Sequence, residues 1–100
     1  MSMSKKHARK ILSNSPPHFS FWVNNGPIIK NLNELYRELK SMNEDTFRHH
    51  VNKEKNDFSN WVKDCLGDTG LAGELRKTKN QRITISKVRS RLQKLKKMAS

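Results

Sequence analysis

The residues with the most chemical potential sit in one short stretch, RHHVNKEKND, where His49 and His50 are followed by Asp57. A histidine pair near a carboxylate invites a metal or acid–base reading. Adjacent residues point about 100° apart on a helix, so His49 and His50 cannot chelate as an i, i+4 pair does. A ligand set needs Asp57 or Asp45 to converge on His50. The plainer reading is a half-buried, hydrogen-bonded His50 beside a solvated His49. The single cysteine, Cys65, is the other candidate. A nucleophile needs a neighbouring base and surroundings that lower its pKa. Cys65 instead falls on an apolar face with Trp61 and Leu66, where a thiol packs inertly. Asp45, Asp57 and Asp68 stand where helices should begin, so capping accounts for them. There is no glycine-rich phosphate loop and no nucleophile elbow. The expectation is no enzyme, no catalytic residue, no metal and no cofactor.

The elements around these residues are legible from periodicity. Phe19, Phe21 and Val23 alternate, Asn25-Gly26 signals a hairpin turn, and Ile28-Ile29 follows. Pro27 limits the second strand to a short edge. Asn31, with Glu34 three residues on, opens a helix whose apolar stripe is Leu32, Leu35, Tyr36 and Leu39. A shorter helix carries Phe47 and Val51. Asp57 is the expected cap of the next helix and Gly67 its stop, with Phe58, Trp61, Val62, Cys65 and Leu66 facing inward. Asp68 is expected to cap a helix burying Leu71, Ala72 and Leu75. The core should centre on Leu35, Leu39, Phe47, Phe58, Trp61 and Leu66. The fold class expected is mainly α: a small helical domain of four to five helices with a short N-terminal β-hairpin.

Taken together, these spacings carry a resemblance. Gly26 before Leu32 and Leu35, then Met42, Phe47, His50 and Val51, then Asn56, Asp57, Phe58 and Trp61, then Gly67, Asp68, Leu71 and Ala72 form one pattern. Over about residues 19–75 the chain resembles a small domain family of unknown function found in archaea and bacteria. The resemblance implies a small helical domain and a prokaryotic host, and no activity. On this reading the basic C-terminal segment lies outside it.

Charge divides the chain differently. The 100 residues hold 21 Lys+Arg against 9 Asp+Glu, a net charge of +12. Residues 1–18 carry Lys5, Lys6, Arg9 and Lys10 and no acid. Residues 19–75 carry all nine acids and all seven aromatics. Residues 76–100 carry ten cations and no acid: Arg76, Lys77, Lys79, Arg82, Lys87, Arg89, Arg91, Lys94, Lys96 and Lys97. The domain reading is therefore a flexible basic arm (1–18), a small helical domain (19–75) and a basic amphipathic C-terminal helix or tail (76–100). Like-charge blocks repel and commonly serve as interaction arms. Within the tail, Ile85, Val88, Leu92 and Leu95 are spaced 3, 4 and 3 apart. That narrow stripe is a seam, for docking on the globule or for pairing two copies into a homodimer.

A chain this basic is expected to meet a polyanion. The leading expectation is a small, nucleoid-associated DNA-binding protein of the cytoplasm. Its leader and tail cations would contact phosphates with little sequence preference. DNA is favoured over RNA. The alternatives are a ribosome- or RNA-associated protein, and a protein–protein adaptor whose tail only adds charge. A basic amphipathic helix can also lie on anionic lipid, but this one has no Trp or Phe anchor. No apolar run is long enough for a membrane span or a signal-peptide core. Trp22, in a hairpin with polar neighbours, is the one aromatic left open for stacking on a base.

Overall fold

A computed structural model describes residues 3–100. Among these residues six α-helices occur, each started by the same device: a Ser, Asn or Asp side chain that accepts the amide three residues on. The caps are Ser4 for α1 (Lys5–Leu12), Asn31 for α2 (Leu32–Ser41) and Asn43 for α3 (Glu44–His50). Asn56 caps α4 (Asp57–Trp61), Asp68 caps α5 (Thr69–Arg76) and Asn80 caps α6 (Gln81–Ala99). Each bond satisfies an amide that the helix itself leaves without a partner. Two expected caps are thus displaced. Asn56, not Asp57, starts α4, and Asn43, not Asp45, starts α3. Both aspartates fall in the first turn, where the helix dipole still favours a negative charge.

A two-stranded antiparallel hairpin precedes α2, with β1 (Phe21–Trp22) and β2 (Ile28–Ile29) pairing Phe21 with Ile29 and Trp22 with Ile28. Phe21 and Ile29 face the core, while Trp22 and Ile28 face outward. In the turn Asn25 takes a left-handed φ of 58°, which asparagine tolerates better than most residues. At Gly26 a Cβ would lie 2.8 Å from Cγ1 of Val23, so only glycine fits there. After Trp61, α4 widens into a π turn (Val62–Leu66) and stops at Gly67, whose φ is 76°. The mainly helical fold with an N-terminal hairpin is as expected.

The core runs beyond the middle segment. Leu32, Leu35, Leu39, Phe47, Phe58, Trp61, Val62 and Leu75 form its centre. Ala8 and Ile11 of α1 enter it from one terminus, and Val88, Leu92 and Leu95 of α6 from the other. Lys5–Leu12 are therefore a docked helix and not part of a flexible arm. An isolated eight-residue helix is marginal in water, but burying Ala8 and Ile11 supplies the missing stability. Nor does the core end at residue 75. The α6 seam docks on the chain's own globule, with Thr84, Val88, Leu92 and Leu95 buried and Ile85 only half-buried at its edge. Val88, Leu92 and Leu95 are thus covered within the chain, and the seam serves the docking of α6 on its own globule.

Candidate nucleic-acid interface

The docking of α1 on α6 brings together cations that stand nearly ninety residues apart. Ala8 and Ile11 pack down, and Nε of Arg9 donates to the backbone oxygen of Ala99 at 3.0 Å. A guanidinium there also complements the negative end of the α6 dipole. α1 is about 12 Å long at 1.5 Å per residue. Lys5, Lys6 and Lys10 therefore lie exposed near the C-terminal end of α6, which carries Lys94, Lys96 and Lys97. The leader and the tail form one basic end.

Helical geometry then divides the α6 cations between two flanks. One flank faces α5 and is partly neutralised by two carboxylates. Arg91 grips Asp68 in a two-pronged pair, Nε to Oδ2 at 2.7 Å and Nη2 to Oδ1 at 2.9 Å. Lys87 reaches Oε1 of Glu74 at 3.3 Å, and Lys77 reaches Oε2 of the same carboxylate at 2.7 Å. The hydrogen bonds from Lys77 and Lys87 hold the Glu74 carboxyl below its usual range. Three expected phosphate contacts thus have acidic partners in this chain: Arg91 in a buried pair, Lys87 in a partly buried one and Lys77 in an exposed one that a phosphate could replace. Lys94 borders the same groove without a carboxylate partner among the described residues.

The other flank faces α2 and has no carboxylate partner among the described residues. Arg82, Arg89 and Lys96 stand seven residues apart, which returns them to nearly the same direction at intervals of about 10 Å along the axis. Lys96 Nζ lies 3.5 Å from Oδ1 of Asn33, which places this flank beside α2. Glu44 lines the groove beside Arg82, but its carboxylate is already held by Arg48 at 2.6 Å. Lys97 stands on the outer ridge between the flanks. Arg76 and Lys79 lie apart from this face, at the end of α5 and in the loop that follows.

Two basic residues escaped the sequence reading. Asn56 Nδ2 donates to the Leu75 carbonyl at 3.0 Å and ties the loop before α4 to the end of α5. That bond sets Lys53 and Lys55 beside Arg76 and Lys79 around one polar cleft. In the sequence these lysines are averaged away by the acids around them. The only local signal is the asparagine-flanked run NKEKN.

His50 and Asp57 do converge. The Asp57 carboxylate lies 3.0 Å from Nδ1 of His50 and also accepts from Lys55 Nζ at 2.9 Å. On the other side of the ring, Nε2 accepts the amide of Asn24 at 3.0 Å. An Nε2 that accepts carries no proton, so Nδ1 carries it and donates to Asp57. Both ring nitrogens are engaged in latching the hairpin turn to α3 and α4. Burial pushes the His50 pKa down, helped by His49 and Lys55, and outweighs the opposing pull of Asp57. Burial pushes Asp57 up, but the hydrogen bonds from His50 and Lys55 win and leave it below its ordinary value. Burial, with Asp64 nearby, raises the half-buried Cys65 thiol. Among the described residues, His, Cys, Asp and Glu form no group of three able to hold a metal ion. Trp22 is 74% exposed and faces away from the core beside Ile28.

Comparison with known proteins adds the family but no activity. The model of a family of unknown function, DUF5752, matches residues 18–97. The match runs past residue 75 and takes in nearly all of α6, so the basic C-terminal helix belongs to the family domain and is not an appendage to it. No curated protein and no solved structure matches.

Proposed function

The chain belongs to that family of unknown function, and we propose that it is a nucleic-acid-binding protein that holds duplex DNA by its phosphates through α6 and α1. The observation that carries this reading is the meeting of leader and tail at one end of α6, alongside a flank whose Arg82, Arg89 and Lys96 have no carboxylate partner among the described residues. A fold needs no such arrangement. Clustered like charges repel one another, and a polyanion relieves that repulsion. Phosphate contacts fix orientation without reading sequence, so scrambled duplexes should bind alike. No second copy is required, because the phosphate contacts of this reading all lie on one chain.

The salt dependence of duplex binding tests it. If about six or seven of Lys5, Lys6, Lys10, Arg82, Arg89, Lys96 and Lys97 touch phosphates, log affinity should fall against log salt with a slope of about −5 to −6. Arg89→Ala should shrink that slope by about one and affect every sequence equally. A duplex that fails to bind even at low salt, or a slope unmoved by a combined Arg89→Ala and Lys97→Ala change, overturns the proposal. An A-form RNA duplex used as competitor separates DNA from RNA, which phosphate charge alone does not distinguish.

A further inference from the structure

The polar cleft between the Asn52–Lys55 loop and the end of α5 has a different character from the convex face of α6. It is concave, about 360 Å³, with Lys53, Lys55, Arg76 and Lys79 around it and Glu54 as the one acid in its lining. Its walls are fixed in advance. Val51 and Asn56 form an antiparallel bridge, and the Asn52 amide donates to the Lys55 carbonyl at 3.0 Å. The Asn52 side chain donates to the Arg48 carbonyl at 3.1 Å and accepts the Glu54 amide at 3.0 Å. The last carbonyls of a helix repel an anion, but here two of the last four are occupied. Leu75 O accepts from Asn56 Nδ2 and from the Thr78 amide, and Glu74 O accepts from the Lys77 amide and from Lys87.

The loop's framework groups are thus satisfied among themselves, and the donors left over point to a ligand. Lys53, Arg76 and Lys79 have no acidic partner among the described residues, and the Asn60 side chain makes no hydrogen bond there. We propose that this cleft is a binding site for a phosphate monoester. A monoester carries a charge of about −1.5 to −2 near pH 7 and three strong acceptor oxygens, which suits a concave site with several cations. A diester inside a duplex carries one charge and is tethered on both sides, so it fits the convex face of α6 better. A terminal phosphate of a polynucleotide strand and a free nucleotide share the monoester chemistry. The site goes beyond the duplex-binding proposal and does not depend on it.

Calorimetric titration of the full chain tests the site with four probes: pyrophosphate, AMP, and one short single strand bearing either a 5′-phosphate or a 5′-hydroxyl. Saturable binding of at least one phosphate probe is expected. A preference of about fivefold or more for the 5′-phosphorylated strand over its hydroxyl twin assigns the site to strand ends; tight AMP or pyrophosphate binding without it assigns the site to small phosphates. The combined Lys53→Ala and Arg76→Ala change should weaken the bound probe about tenfold or more, since it removes charge-assisted hydrogen bonds. Asn60→Asp should do the same with an unchanged melting temperature, because the Asn60 side chain holds nothing in the fold. Arg89→Ala should leave AMP and pyrophosphate binding, and the preference for the 5′-phosphorylated strand, unaffected while weakening duplex binding. The proposal is overturned if no phosphate probe saturates, or if both cleft variants bind like the parent. If duplex binding persists in either case, the α6 reading survives alone. If the cleft binds and duplexes do not, the reverse holds.

Discussion

Arg89 and Arg91 stand two residues apart on α6, and the structure assigns them opposite work. Arg91 makes two hydrogen bonds to Asp68, a carboxylate only 2% exposed that also accepts the Leu71 amide at 3.1 Å. Arg91→Ala leaves that carboxylate buried with one backbone donor. Breaking a buried ion pair from one side costs about 3–5 kcal/mol. The Arg91 side chain retains 19% exposure, so water softens the loss and about 3 kcal/mol is the expected value. For a domain of this size that lowers the melting temperature by roughly 12–24 °C. Adding Asp68→Asn should recover most of it, since the amide oxygen still caps Leu71 and no charge is left unpaired. Arg89→Ala touches no such pair and should change stability by less than about 0.5 kcal/mol, moving the melting temperature by less than about 4 °C. In salt-dependent duplex binding the order reverses. The Arg89 variant loses about 0.9 of the slope, while Arg91→Ala, measured below its melting temperature, keeps the parent slope. An Arg91→Ala protein that melts like the parent and loses a unit of slope would refute the assignment, because Arg91 would then face phosphate rather than Asp68.

Three further outcomes follow from the packing and the latch. Leu95→Ala, at a fully buried position of α6, should destabilise by about 2–5 kcal/mol in chemical denaturation; a loss under about 1 kcal/mol would mean that α6 is not part of the core. Ala8→Asp places a carboxylate in a fully buried site and should release α1, exposing Lys5–Lys10 to trypsin and weakening duplex binding; unchanged digestion would show that α1 never docks. Stability should fall on acidification below about pH 6.5, because unfolded His50 takes up a proton there while the folded ring, its pKa lowered, resists. Once protonated, Nε2 opposes the Asn24 amide donor to donor. Asp57, also lowered in the fold, adds a second loss below about pH 4. Melting curves against pH check both, and a His50→Gln variant should be flat across the first window.

Much of this protein was settled locally, by residue type and spacing. The hairpin at Asn25-Gly26, the leucine stripe of α2, the caps at Asn31 and Asp68 and the stop at Gly67 all rest on interactions within a few residues, so the sequence reads them directly. The partition of charge is likewise a property of composition. What the sequence reading could not reach were choices between near-equal local options and contacts across long separations. Asn56 and Asp57 are both good caps; Asn56 takes that role, and Asp57 is drawn to His50 and Lys55. Arg89 and Arg91 look alike as residues, and only the place of Asp68 on α5, some twenty positions away, makes one a structural anchor and leaves the other to solvent. Lys53 and Lys55 sit among acids in the chain, yet one side-chain bond from Asn56 to Leu75 sets them beside Arg76 and Lys79. The leader and tail read as separate arms because each is too short or too charged to fold alone. They form one basic face because Ala8, Ile11, Val88, Leu92 and Leu95 gain more from burial in a shared core than the surrounding cations lose by repulsion in water, and only the assembled fold brings those side chains together.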